Sequence, residues 1–155
     1  MPTGWRLVKT KHLDSALSGE GAFRFGARWT SKGQRAVYAS STSSLAILEV
    51  LAHLGDTRPL PAYSIIPLEI PEELITTVRR DALPPNWRDY PAPSELRKLG
   101  DAWLASAVSA CWQVPSVLGP DIESADANYV LNPSHPDFGQ ITKGEPISLE
   151  FDARL

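Results

Sequence analysis

Apolar residues in this chain come in short runs of about four to eight, separated by glycine, proline and serine, and the spacing changes from one run to the next. Residues 5–8 predict a first strand, followed by a polar loop through Ser18, Gly19, Glu20 and Gly21. Residues 27–30 and 36–39 predict two short strands joined by a turn at 31–34. The cluster Ser40, Ser41, Thr42, Ser43 and Ser44 offers N-caps for a helix from about 44 to 54, with Gly55 as its natural C′ residue. Residues 62–69 are strand-like, and Pro67 suggests an edge or an early end. The proline-rich stretch to Pro93 predicts a long ordered loop containing a short strand at 75–78. A second helix is expected from Ser94, as its cap, to about Ser109. Glu95 suits its positive end, and Leu96, Leu99, Trp103 and Ala107 mark its buried face. Residues 112–118, 129–131 and 147–151 complete a strand-dominated C-terminal half. The fold class is α/β in the mixed α+β sense, with short strands outnumbering a few helices.

Composition narrows the class. The 155 residues, 43% hydrophobic and 21% charged, fit one soluble globular domain spanning 1–155. No apolar run approaches the ~18 residues of a membrane helix, and the N-terminus lacks the apolar stretch of a signal peptide. With a single cysteine no internal disulfide can form, and a cytoplasmic location is expected. Cys111, between Ala110 and Trp112, reads as a buried structural thiol. A net charge of −3 argues against autonomous nucleic-acid binding. Arg79, Arg80, Arg88, Arg97 and Lys98 alternate with Asp81, Asp89 and Glu95, which reads as a mixed solvated surface.

Against this background a few polar residues stand in apolar settings. Glu49 is the lone acid of its helix, nearly surrounded by Leu45, Ile47, Leu48, Val50 and Leu51. Its carboxylate must be paired or face a polar cleft, unless it forms a surface pair with His53 one turn on. Arg28 follows Gly26 and Ala27, where the backbone can turn closely around a ligand. Its guanidinium suits phosphate or carboxylate, or else stacks on Trp29 or joins an ion pair. Tyr38 can stack on a planar ring or serve as a core tyrosine. Ser116, in an apolar strand after Val114 and Pro115, has no nucleophile elbow around it and reads as a ligand-binding hydroxyl. Asn128 and Asn132 bracket Tyr129, Val130 and Leu131, and Asn132 suits the turn at Pro133. His12, His53, His135 and Cys111 lack metal-ligand spacing, so no metal site is expected.

The ordered set of segments 25–29, 36–39, 46–51, 114–116 and 128–136 resembles the RES domain family, the toxins of bacterial RES–Xre toxin–antitoxin pairs. The family is named for an arginine, a glutamate and a serine, here Arg28, Glu49 and Ser116. The resemblance implies a fold related to ADP-ribosyltransferases and NAD as substrate, with no further cofactor. It also implies NAD depletion that arrests growth, a homodimer, and neutralisation by an Xre-type helix-turn-helix antitoxin that makes the DNA contact. Glu49 would stabilise the charge that develops on the ribose as the nicotinamide bond breaks, and Arg28 would hold the diphosphate. Tyr38 would stack on the nicotinamide, Ser116 would bond NAD near the reacting ribose, and Asn128 would add a polar contact. The acceptor is open among water, phosphate and a protein side chain, the last making the chain a mono-ADP-ribosyltransferase. A non-enzymatic alternative is a partner-binding domain with a buried Arg28–Glu49 ion pair. Segment 119–127 is longer and more acidic than the family link, which leaves access to the pocket and antitoxin contact there open.

Overall fold

The short apolar runs pair into a single mixed sheet. In the computed structural model, which describes residues 1–54, 60–120 and 126–155, the strands are β1 (Thr3–Lys9), β2 (Val37–Ser40), β3 (Tyr63–Glu69), β4 (Ile75–Thr77), β5 (Cys111–Pro115), β6 (Ala127–Leu131), β7 (Thr142–Lys143) and β8 (Ile147–Leu149). The helices are α1 (Glu20–Phe25), α2 (Ser43–Leu54) and α3 (Ser94–Ser106). The strand order is β4-β5-β6-β2-β1-β3-β7, with β8 also on β3. Every pairing is antiparallel except β4 with β5. The expected mixed α+β class is therefore correct.

Period-two alternation assigns each side chain to a face. One face gathers Val8, Val37, Ala39, Ile66, Leu68, Cys111, Tyr129 and Leu131 into a single core, closed by Ala16, Leu74 and Ile141. Cys111 is buried there, and burial pushes its thiol up to about 12, so it is an inert packing group at neutral pH. The half-buried Arg6 lies on this face where β1 meets β2 at only one pair, Trp5 opposite Ser40. Its Nε donates to the Ala16 carbonyl at 3.1 Å and Nη1 to that of Tyr38 at 3.0 Å, bridging the gap. Burial pulls its pKa down to about 10, which leaves it charged at pH 7.

The opposite face carries two separate apolar clusters. Under α2, Leu7, Ala46, Tyr63 and Ile65 pack with Trp5 and Val50. Under α3, Trp29, Ala36, Leu96, Trp103, Trp112, Val114 and Val130 form the other. Trp112 stacks on Trp103 at 5.5 Å and meets the edge of Trp29 at 5.6 Å, contacts worth ~0.5–1.5 kcal/mol each beyond their burial. Between these clusters runs the strip on which the candidate residues meet.

Four local expectations are corrected. Residues 27–30 form no strand. Gly26 takes a left-handed φ of 70° at the end of α1, Ala27 N–H bonds back to the Thr30 carbonyl, and Trp29 plugs the core. Pro67 does not end β3 or make it an edge. Its carbonyl accepts from Gly144, and its missing N–H falls between the stretches of β3 paired with β8 and β7, where no ladder bond is needed. The cap of α3 is Pro93 rather than Ser94, and the helix stops at Ser106, because Ala107 turns left-handed and is exposed. Finally, β5 ends at Pro115, so Ser116 stands just beyond the strand. Thr42 caps α2 through Oγ1, which accepts the Leu45 N–H at 3.0 Å. Gly55 lies outside the described residues.

Gly100 is the buried residue of α3 that the periodicity of its apolar neighbours does not reveal. A Cβ there would sit 1.6 Å from the Trp29 carbonyl oxygen. Substitution Gly100→Ala is expected to force α3 off the Trp29 segment and lower stability by at least ~1–3 kcal/mol, the usual range for overpacking. Denaturant unfolding measures it, and a loss below about 0.5 kcal/mol, the scatter of neutral surface changes, would contradict this packing.

Candidate functional site

Register brings the polar strip together. Ser40 on β2 lies opposite Asn128 on β6, and Asn128 lies opposite Val114 on β5, all on the face that carries α2 and α3. Ser40 Oγ donates to Asn128 Oδ1 at 2.8 Å, which turns the Asn128 amide nitrogen toward α2. Nδ2 donates to Glu49 Oε1 at 3.0 Å. Ser116 Oγ donates to the same oxygen at 2.5 Å and accepts the Leu118 N–H at 3.1 Å. Both bonds to the carboxylate use Oε1, and neither uses Oε2. Glu49 is thus held by Asn128 and Ser116, not by His53, and among the described residues no hydrogen bond is made to its second oxygen.

Arg28 reaches the same region from the loop after α1. Ser31, three residues on, is tied to α3 by two bonds to Asp101, at 2.9 Å from N–H and 2.5 Å from Oγ. With Trp29 locked in the core, Arg28 projects to the proline-rich segment, where Nη2 donates to the carbonyls of Trp87 and Asp89. Among the described residues its Nε is buried and has no hydrogen-bond partner. Burial lowers the guanidinium pKa, while Glu49 and Asp89 raise it and Arg88 lowers it further. Glu49 therefore acts on Arg28 through space, but among the described residues no ion pair joins them and no stacking on Trp29 occurs. The buried ion-pair arrangement is not the one adopted.

Tyr38 is one row further along the same face, packed against the tryptophan cluster. Its hydroxyl shares a 2.8 Å hydrogen bond with Thr30 Oγ1, and burial raises its pKa. Tyr38 makes no hydrogen bond to Glu49, Ser116 or Asn128. Asn132 Oδ1 accepts the Ser134 N–H at 3.0 Å, the turn role its sequence suggests. Sequence reading missed Ser40, although its position two residues after Tyr38 on one strand was a usable signal. It also missed the Trp87 and Asp89 carbonyls, for which side-chain identity carries no signal. Segment 121–125, the centre of the acidic stretch, lies outside the described residues. Among the described residues no group of three metal-ligating side chains converges, and no helix is long and apolar enough to cross a membrane.

Comparison with known proteins places this arrangement. The RES domain family model matches residues 3–152. The chain belongs to the RES domain family of toxins. It is 37% identical over 152 residues to a Yersinia enterocolitica protein named Toxin Res, covering 97% of each chain. It is 35% identical over 158 residues to a Sphingobium protein named Prs ADP-ribosylating toxin, covering 97% of this chain and 94% of that one. Its fold is similar to a chain of the M. tuberculosis MbcT–MbcA toxin–antitoxin complex, with a TM-score of 0.74 at 21% identity, covering 96% of this chain and 84% of that one. In this RES domain Glu49 and Ser116 are hydrogen-bonded to each other, and Arg28 stands within electrostatic reach of Glu49.

The double bond from Arg28 to the 87–89 carbonyls carries a structural prediction. Charge-assisted hydrogen bonds are worth ~1.5–3 kcal/mol. Arg28→Ala should therefore speed amide exchange at Trp87 and Asp89 by about tenfold or more, while β5 and β6 keep their protection. Mass-spectrometric hydrogen exchange measures this, and unchanged exchange in that segment would show that it holds its own shape.

Proposed function

We propose that this chain is a toxin that consumes NAD by cleaving the nicotinamide–ribose bond. The observation that carries the reading is the Glu49 carboxylate, fixed through Oε1 by Ser116 and Asn128 with Oε2 unused. As the bond breaks, its electron pair leaves with nicotinamide and positive charge spreads over the ribose, as in glycoside cleavage. Glu49 Oε2 lies ready to face that charge, and a preoriented carboxylate needs little reorganisation at the transition state. The acceptor oxygen then bonds to the anomeric carbon and gives up its proton, to Glu49 or to solvent. Water yields ADP-ribose and phosphate yields ADP-ribose 1″-phosphate.

The remaining roles follow the geometry. Arg28 anchors the diphosphate, with its partnerless Nε as the donor in waiting. Ser116 and Asn128 act first on Glu49, orienting it, and contact NAD from the same positions. Tyr38 stacks on the nicotinamide from its place one row along the same face, while Thr30 holds its hydroxyl. No metal or further cofactor enters the scheme. A second reading uses the same site with a protein side chain as acceptor, and the name of the Sphingobium relative favours it.

Cytoplasmic action on NAD requires silencing, and the rim of the strip suits a covering partner. Phe25 and Tyr90, close in sequence to Arg28 and to its Asp89 contact, are 82% and 93% exposed, and Leu48 and Leu118, close in sequence to Glu49 and Ser116, are also exposed. An antitoxin, of the Xre type and with DNA contact left to it, fits this rim, as does a homodimeric toxin. The structural neighbour was solved as a toxin–antitoxin complex, which supports an antitoxin partner.

Incubation of the purified chain with NAD, with and without phosphate, should release nicotinamide and one of the two ADP-ribose products. Glu49→Gln preserves the acceptor for Ser116 and Asn128, so it should fold normally yet lower turnover by about 10²–10³-fold, the scale of losing a preorganised electrostatic partner. NAD left intact by the folded chain, free of any partner, would overturn the proposal. Labelled ADP-ribose retained on a protein would select the transferase reading.

A further inference from the structure

Beside the polar strip is an open cleft of about 460 Å³ lined by Arg80, Leu83, Pro84, Trp87, Arg88 and Pro120, within the size range of small-molecule sites. Its cations are not those of an ordinary mixed surface. Arg88 donates through Nη2 to the carbonyls of Val117 and Gly119, at 2.9 and 2.8 Å, and its guanidinium lies 5.0 Å from the Trp87 ring centroid. Arg28 is held by the Trp87 carbonyl, and its guanidinium feels the attraction of Glu49 and Asp89 as well as the repulsion of Arg88. Backbone carbonyls orient these cations but leave their net charge in place. Two like charges brought together on carbonyl supports favour an anion between or beside them.

The connectivity defines which anion. Arg28 joins the cleft to the Glu49 strip through Trp87, and Arg88 joins it to the turn that starts at Ser116. A diphosphate on Arg28 therefore has the cleft next to it, across Trp87. Leu83, Pro84 and Pro120 supply apolar walls, and the Trp87–Arg88 pair is a flat cationic platform of the kind on which a base stacks. We infer that this cleft takes the adenylate half of the dinucleotide, with Arg88 on its phosphate and Trp87 beside its base. The assignment rests on the NAD reading for its biological ligand, but it can be tested without turnover.

Titration of the full chain with AMP, followed by calorimetry, should give saturable binding that Arg88→Ala weakens by about tenfold or more, the effect of one charge-assisted bond. Trp87→Leu, which keeps the backbone carbonyl that Arg28 uses and the Val117 and Gly119 contacts of Arg88, should weaken AMP in the same direction. The pair thus separates loss of the cleft from disturbance of the turn. Inorganic phosphate should bind more weakly than AMP. No AMP binding, equal binding to both variants and the parent, or phosphate binding as tightly as AMP would each overturn the assignment. If AMP binds through Arg88 while NAD is not consumed, the cleft stands and the cleavage reading falls. If NAD is consumed while AMP is indifferent to Arg88, the reverse holds.

Discussion

One carboxylate oxygen, Glu49 Oε1, joins α2 to the sheet at the gap between two apolar clusters. It receives Asn128 from β6 and Ser116 from the turn after β5, and Asn128 is itself held by Ser40 on β2. Two backbone segments thus converge on a single acceptor, and a third, β2, acts on it through Asn128. A half-buried charge on a helix otherwise rich in leucine is tolerable only with such partners, since an unpaired one costs several kcal/mol. The same bonds that satisfy it fix its direction, so stability and preorganisation share one set of contacts.

The architecture around that point is a division of labour between the faces of the sheet. The face bearing Val37, Leu131 and Ile66 is a continuous apolar core. The other is split, with tryptophans under α3 and aliphatic residues under α2. Between the two lies the polar lane of Ser40, Asn128 and Ser116, reached from α2 by Glu49. There the Arg28 guanidinium lies within electrostatic reach of the Glu49 carboxylate, and Trp87 links Arg28 to the neighbouring cleft.

Arg28 illustrates how a fold makes use of one side chain twice. Its Nη2 fastens the proline-rich segment through two carbonyls, and its Nε points into buried space without a partner. The backbone just after the arginine is fixed by Trp29 in the core and by the Ser31–Asp101 bonds. The backbone contact at Gly100 lets α3 approach closely enough for that arrangement. A glycine in a separate helix therefore sets where the guanidinium can stand.

The sequence alone determined the mixed class, the main strands, the span of α2 and the buried positions Leu96 and Trp103, because period-two and period-3.6 patterns are local records of which side chains leave water. It also singled out Glu49, Arg28, Ser116 and Asn128, since polar groups amid apolar neighbours are unfavourable unless they are used. Only the tertiary structure decided their pairings. Glu49 could have met Arg28 or His53, and long-range register gave it Ser116 and Asn128 instead. Residues 27–30 read as a strand because local alternation does not reveal that Gly26 turns the chain and Trp29 fills a distant hole. The carbonyls that hold Arg28 and Arg88 have no sequence signature, because every residue carries the same backbone acceptor and only folding chooses which one a cation meets.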